Sequence, residues 1–204
     1  MSIYFSHRQK IVYKTFVLLH TLTSSLEVGG RVLREELLIK LRALPVIKRD
    51  GPYVLASGKI SYTYCNVKEA CGYPDILNAM ADGIKALLPS DITCVAAPAL
   101  GGISLAAVIQ SRHRLKKCIV RKEHKKRGFA PTLLLAEYVP GPGDVIAVID
   151  DVFSSGGSIL GAIEALRPTG ARIACAGVAV NRSFWEERNF SVPVNYLFRL
   201  DELL

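Results

Sequence analysis

Apolar segments and helical segments alternate along the second half of the chain. ITCVAAP, VIAVID and ARIACAGVAV are apolar almost throughout, whereas 104–110 and 158–166 read as helices that follow the first two. Strands that are apolar on both faces are typical of parallel sheets covered by helices on both sides. The pattern therefore predicts an α/β fold with a central, mostly parallel sheet flanked by helices.

The first half shows a different pattern of shorter elements. A helix is predicted from residue 32, where four leucines share one face, and a second helix is predicted over 75–88. Between them, a turn at 50–52 leads into two short extended runs, YVLAS and SYTYC. Two later segments, LLLAEYV and NYLFRL, are predicted as further strands of the sheet.

Residues 1–30 are predicted to form a separate N-terminal extension, with residues 31–204 forming one domain. Arg8 and Lys10 precede the apolar stretch IVYKTFVLLHTL, in the order of a secretory signal peptide. Lys14 and His20 interrupt that stretch, and no small-x-small cleavage site follows it. We therefore predict a helical extension that docks on the domain or on a partner. A translation start assigned too far upstream is the alternative.

The composition excludes several classes of protein. Half of the 204 residues are apolar and 22% are charged, which excludes a disordered or low-complexity chain. No apolar run approaches the roughly 20 residues of a membrane span, so no membrane association is predicted. Five cysteines without a CxxC pair argue against a disulfide framework and a zinc site. They favour a reducing compartment and predict a cytoplasmic protein.

The net charge of +8 is concentrated in one segment. Residues 112–127 contain nine Lys or Arg and one acidic residue, and the rest of the chain is balanced. A duplex-binding protein more often spreads its basic residues along a helix face. A local cluster suits a compact polyanion such as pyrophosphate, so no nucleic-acid partner is predicted. A solvated basic loop is the simpler alternative.

The strongest chemical signal is VIAVIDDVFSSGGSI, residues 145–159. A buried strand brings Asp150 and Asp151 to its carboxyl end, where open α/β sheets bind their ligands. The serines and glycines of 154–158 then open a helix, where backbone N–H groups and hydroxyls can surround a phosphate. Carboxylates beside a phosphate site suit sugar hydroxyls. The alternative is an ordinary turn with capping serines.

This stretch resembles the signature of type I phosphoribosyltransferases. Three further segments resemble the orotate phosphoribosyltransferase branch of that family. RKEHKKRG (121–128) is similar to its flexible catalytic loop, LASGKISYTYCNVKEA (55–70) to its hood, and PALGGIS (98–104) to its second ligand loop. Asn181 and Arg182 fall where that branch places its orotate-binding arginine. The resemblance runs from about residue 34 to about residue 182.

The resemblance implies a type I phosphoribosyltransferase fold with a small hood at about 50–66 and a catalytic loop at about 121–132. The residues implied in binding phosphoribosyl pyrophosphate are Arg121, Lys122, Lys125, Arg127, Asp150, Asp151, Val152, Phe153, Ser154, Ser155, Gly156, Gly157 and Ser158. Those implied in catalysis are Lys122, Lys125, Asp150 and Asp151, and those implied in orotate binding are Ser154 and Arg182. A guanidinium at Arg182 would recognise the orotate carboxylate bidentately.

The resemblance also implies a cofactor and a partner. Mg²⁺ and the basic loop are expected to stabilise the departing pyrophosphate, and no side chain is singled out as a direct ligand of the metal. A homodimer is implied, in which the basic loop of one subunit closes over the site of its neighbour. The pleat of the strand points Asp150 and Asp151 to opposite sides, so we expect the turn into Val152 to rotate the second carboxylate toward the same ribose, and neither residue to need burial.

The predicted reaction is transfer of the 5-phosphoribosyl group of phosphoribosyl pyrophosphate to orotate, within pyrimidine synthesis. Four departures from the branch stand out: Ala56 and Gly101 at lysine positions, Arg127 at a histidine position, and Tyr64-Cys65 in place of an aromatic pair. They leave a purine or other nucleobase phosphoribosyltransferase as one alternative. A non-catalytic sensor of phosphoribosyl pyrophosphate is another, although an extension of about 30 residues is short for a DNA-binding unit.

Overall fold

The computed structural model describes residues 31–54, 58, 60–123, 134–183 and 190–204. The predicted extension, residues 1–30, lies outside the described residues. The helices are α1 (Arg31–Ala43), α2 (Val67–Ala70), α3 (Pro74–Leu87), α4 (Ile103–His113), α5 (Gly157–Leu166) and α6 (Leu200–Leu203). The strands are β1 (Ile47–Lys48), β2 (Tyr53–Val54), β3 (Ile60–Ser61), β4 (Tyr64–Cys65), β5 (Cys94–Pro98), β6 (Lys116–Val120), β7 (Leu135–Glu137), β8 (Val145–Phe153), β9 (Arg172–Asn181) and β10 (Val194–Arg199).

The main sheet has six strands in the order β10-β9-β8-β5-β6-β7. All neighbours are parallel except β7, which runs antiparallel to β6 at the edge. The predicted α/β fold with a mostly parallel central sheet is confirmed. Because β5, β8 and β9 run side by side in one direction, their carboxyl ends lie together at one end of the sheet.

Helices cover both faces of this sheet. On one face, Ala147 and Ile149 of β8 belong to a core with buried residues of α1, α3 and α4. On the other face, Ile146 and Val148 pack with buried residues of α5. Successive side chains of a strand point to opposite faces, so a strand between two helical layers must be apolar throughout. This requirement explains the unbroken VIAVI run.

Two small antiparallel pairs precede the main sheet. The strand β2 pairs with β3, with Val54 opposite Ile60, and β1 pairs with β4, with Ile47 opposite Cys65. The predicted run SYTYC is divided between β3 and β4, and YVLAS contributes only its first two residues to a described strand.

Two further details differ from the predictions. The strand predicted to end at Asp150 continues to Phe153, because β8 stays in parallel register with β9 as far as Asn181. The helices α2 and α6 were not predicted, since four residues are too few to show helical periodicity. No helix within the described ranges is long and apolar enough to cross a membrane.

Candidate active site

A cavity of about 640 Å³ opens at the carboxyl ends of β5 and β8. Its walls come from the predicted ligand loops and from the β4–α2 region. The lining residues are Tyr64, Cys65, Lys68, Pro98, Ala99, Leu100, Gly101, Lys122, Asp150, Asp151, Val152, Ser154, Ser155, Gly156, Gly157, Ser158, Ile159 and Arg182. Five segments that are separate in the sequence therefore meet at the end of the sheet predicted to bind ligands.

Asp150 and Asp151 form the floor of the cavity. Their relative exposures are 5% and 9%, so the expectation that neither is buried was wrong. The Asp150 carboxylate accepts a hydrogen bond from the Asp151 N–H at 2.9 Å, and the Asp151 carboxylate accepts one from the Val152 N–H at 3.0 Å. Burial and the neighbouring Asp151 carboxylate raise the pKa of Asp150 well above its ordinary value.

The two carboxylates face the same loop. A Cβ atom at Gly101 would overlap Oδ1 of both Asp150 and Asp151, and one at Gly102 would overlap the Ile149 carbonyl oxygen. The backbone after β5 therefore passes directly over the acidic pair, which only glycines allow. Both residues line one cavity, as the expected rotation of the second carboxylate requires.

The loop after β8 has the form of an anion site. Gly156 adopts a φ of 76°, and α5 begins at the next residue. Ser155, Gly157 and Ser158 are exposed to the cavity. Phe153 is fully buried and packs edge-on against Phe190, with ring centroids 5.2 Å apart. Of the predicted binding residues from 150 to 158, Phe153 alone does not line the cavity, and Val152, which does line it, also packs against the core.

The basic segment is described only in part. Lys122 is exposed and lines the cavity. Arg121 is half-buried, donates its backbone N–H to the Leu134 carbonyl at 2.8 Å, and is not among the lining residues. Lys125 and Arg127 lie outside the described residues. Of the two predicted basic residues that the structure describes, Lys122 lines the cavity and Arg121 does not.

The opposite wall combines Arg182 with residues of β4 and α2. Burial raises the pKa of the Cys65 thiol to about 12, while the positive charge of Arg182 acts in the opposite direction. Lys68 also lines the cavity, and its positive charge offsets a small part of the rise in the pKa of Asp150. Lys68 was not among the predicted site residues, because nothing in the hood motif shows which residue of a four-residue helix faces a site.

The chemistry of the cavity is that of a polyanion and sugar site. Cations at Lys68, Lys122 and Arg182 line the same cavity as the buried carboxylate pair and the serine-glycine loop. No cluster of three or more His, Cys, Asp or Glu side chains that could hold a metal occurs in the described part of the chain. A divalent cation could use the two carboxylates only together with oxygens of a bound ligand.

The comparisons with known proteins agree with this chemistry. No family model matches the chain. An orotate phosphoribosyltransferase of Methanopyrus kandleri is 36% identical over 151 residues, covering 72% of this chain and 75% of the relative. One of Thermococcus gammatolerans is 38% identical over 161 residues, covering 76% and 83% respectively. The crystal structure of orotate phosphoribosyltransferase from Aeropyrum pernix matches with a TM-score of 0.65 at 26% identity, covering 84% of this chain and 96% of that one.

Proposed function

The chain belongs to the orotate phosphoribosyltransferase family, and from that premise we propose how its own residues carry the reaction. The enzyme transfers the 5-phosphoribosyl group of phosphoribosyl pyrophosphate to orotate, forming orotidine 5-monophosphate and pyrophosphate in pyrimidine synthesis. The purine-base and sensor alternatives are not favoured by these relatives. One observation carries the assignment of residues: the acidic pair, the serine-glycine loop and Arg182 line a single cavity.

Phosphoribosyl pyrophosphate binds, in this proposal, across the carboxyl end of β8. The loop 154–158 surrounds the 5-phosphate with backbone N–H groups and serine hydroxyls at the start of α5. Asp150 and Asp151 accept hydrogen bonds from the ribose hydroxyls. This role is consistent with two carboxylates that are held by backbone N–H groups and buried side by side. It fixes the anomeric carbon in the cavity for attack by orotate.

Orotate binds beside Arg182 and Ser154. The guanidinium pairs with the carboxylate of orotate, and Tyr64 and Cys65 close the same wall. Removing that carboxylate from the substrate leaves Arg182 without its partner in a half-buried position. The cost of an unpaired charge then provides discrimination against uracil.

The leaving pyrophosphate accumulates negative charge as the bond between the anomeric carbon and its oxygen breaks. Lys122 supplies a positive charge at the cavity, and we assign the same role to Arg121, Lys125 and Arg127 of the basic segment. Mg²⁺ fits this site as a partner of the substrate oxygens and of the Asp150–Asp151 pair. When bound, it neutralises part of the pyrophosphate charge.

We also propose the larger organisation of the molecule. The proposal divides the chain into an extension (1–30) and a transferase domain (31–204), with the hood at about 50–66 and the catalytic loop at about 121–132. A homodimer with a shared site is proposed on the family premise. A cytoplasmic location is supported by the cysteines, all five of which are free thiols.

A base-panel assay tests the function. With phosphoribosyl pyrophosphate and Mg²⁺, we expect pyrophosphate release to be fastest with orotate and at least about 100-fold slower with uracil, which lacks the carboxylate. Preferential turnover of adenine, hypoxanthine or uracil would contradict the assignment to orotate. An Arg182→Met variant should lose the preference for orotate over uracil while its KM for phosphoribosyl pyrophosphate stays near that of the wild type.

A further inference from the structure

The residue before Arg182 makes an unusual set of contacts. Asn181 ends β9 and is 1% exposed. Its Oδ1 accepts two hydrogen bonds, both from Ser183: one from the backbone N–H and one from the hydroxyl, each at 2.8 Å. These two bonds span Arg182 and close a tight turn around it. The backbone on both sides of Arg182 is therefore held by one side-chain oxygen.

The same turn is tied to the neighbouring strands. The Arg182 N–H donates to the Phe153 carbonyl at the end of β8, at 2.8 Å. The guanidinium of Arg199, which lies opposite Asn181 on β10, donates to the Ser183 carbonyl at 3.1 Å. The segment that carries Arg182 is thus anchored to β8, which carries the acidic pair, and to β10, at the edge of the main sheet.

The amide nitrogen of Asn181, in contrast, makes no such hydrogen bonds. Its Nδ2 is the one buried side-chain nitrogen or oxygen without a hydrogen-bond partner across the described ranges. A buried unpaired donor destabilises the folded state, so its presence needs an explanation. The contacts point to the acceptor oxygen as the part of the side chain that the position requires.

We propose that Asn181 is a positioning residue that directs the Arg182 guanidinium toward the carboxylate of the substrate. The Asn181 Oδ1 fixes the turn by accepting both Ser183 hydrogen bonds, and the Arg199 guanidinium on β10 stabilises it through the Ser183 carbonyl. This inference rests on the proposed role of Arg182. It predicts that loss of the Asn181 oxygen weakens recognition of the carboxylate selectively, and leaves recognition of the ribose phosphate intact.

The test compares two nucleotides that differ only in the carboxylate. Calorimetry gives the affinities of each variant for orotidine 5-monophosphate and uridine 5-monophosphate, and their ratio measures carboxylate recognition. Arg182→Met should lower the ratio at least about 10-fold, the effect of losing a charge-assisted hydrogen-bonded pair. Asn181→Ala should lower the ratio about fivefold. Asn181→Asp keeps the acceptor oxygen, so its ratio should stay within about twofold of the wild-type value.

A matched control lies on the next strand. Asn195 on β10 hydrogen-bonds with Cys175, and Asn195→Ala should leave the ratio unchanged. If Arg182→Met leaves the ratio unchanged, the proposed role of Arg182 fails. If Arg182→Met lowers it but folded Asn181→Ala does not, the positioning role of Asn181 is wrong. Should Asn181→Ala not fold, Ser183→Ala removes one of the two bonds, and an unchanged ratio in that variant overturns the inference.

Discussion

Asp150 and Asp151 are two carboxylates that the fold holds together before any substrate arrives. Both are buried, and each oxygen Oδ1 is used by a backbone N–H. Burial and repulsion within the pair raise the pKa of Asp150 far above the ordinary 3.8. In the proposed assignment, ribose hydroxyls and a cation in the cavity would relieve the electrostatic cost of this arrangement, and the site would be preorganised for its ligand at the expense of stability.

Asp150→Asn should increase the stability of the protein at pH 8 and decrease its activity. A raised folded-state pKa means that the folded protein binds the proton more tightly than the unfolded chain does. The free energy of unfolding of the wild type therefore falls as pH rises from 3.8 through the folded-state pKa. At pH 8 the variant should be more stable than the wild type, with a difference that shrinks as pH falls toward 4.

Urea denaturation at pH 8 and pH 5 measures this difference, and kcat at pH 8 should fall about 100-fold. Ser158→Ala, which changes an exposed residue of the same site, should show no pH-dependent gain in stability. A less stable Asp150→Asn protein at pH 8 would contradict the repulsion argument.

At the scale of elements, the turn from β8 into α5 depends on one glycine. Gly156 has a φ of 76°, and a Cβ there would lie 2.5 Å from Cε2 of Phe190. Any side chain would force the loop away from Phe153 and Phe190, which pack beneath it. The backbone N–H groups at the start of α5 would then no longer converge on one point.

Gly156→Ala should therefore weaken binding of the phosphate specifically. We expect about 10-fold lower affinity for orotidine 5-monophosphate and little change for orotidine, measured by calorimetry. Gly161→Ala, in open space on α5, is the matched control. It should leave both affinities unchanged and raise the free energy of unfolding by about 0.5–1 kcal/mol. Equal losses for both ligands in Gly156→Ala would show that the loop does not act through the phosphate.

A different carboxylate, that of Asp144, stabilises the end of the sheet where the parallel strands begin. Asp144, at the start of β8, is 3% exposed. It accepts hydrogen bonds from Thr93, Lys116, Tyr138 and the Gly141 N–H, at 2.8–3.0 Å. The bonds join the amino ends of β5, β6 and β8 to the segment after β7. They outweigh the effect of burial and lower the pKa of Asp144.

Asp144→Ala should destabilise the fold by about 3 kcal/mol, because it leaves several donors without an acceptor. A lowered folded-state pKa contributes stability that is present above the ordinary value of 3.8 and is lost as pH falls through the folded-state pKa. The deficit of the variant should thus be full at pH 7 and shrink below about pH 4, as followed by urea denaturation. Asp91→Ala removes an exposed ion pair with Arg172 at the same end of the sheet and should cost below about 1 kcal/mol.

At the scale of the whole molecule, the proposed shared site makes a prediction about mixed dimers. Because Lys122 lines the cavity of its own chain, the test uses Lys125. Lys125→Ala subunits and Asp150→Asn/Asp151→Asn subunits should each be inactive. If the basic loop acts across the interface, each hybrid dimer has one intact site, and random exchange should restore about a quarter of wild-type activity. Pyrophosphate release after verified subunit exchange measures the recovery. No recovery would contradict a loop that acts on the neighbouring subunit.

Local patterns predicted most of the fold and much of the site. The apolar runs predicted the strands of the main sheet, since a strand covered on both faces has no polar alternation. The order of strand, acidic pair, serine-glycine loop and helix predicted a ligand site at the residues that line the cavity. Two short helices escaped prediction, and so did the last three residues of β8, because register with β9 rather than composition extends that strand.

The amino-acid sequence by itself determined the α/β architecture, the loop 154–158 and the nature of the groups available to a ligand. These features follow from residue types at adjacent positions, which periodicity and backbone preference reveal. Only the tertiary structure decided that Asp150 and Asp151 are buried together, that Lys68 joins the cavity, and that Asn181 holds the turn around Arg182. Burial, electrostatic repulsion and hydrogen bonds depend on distances between residues far apart in the chain, which no local pattern contains.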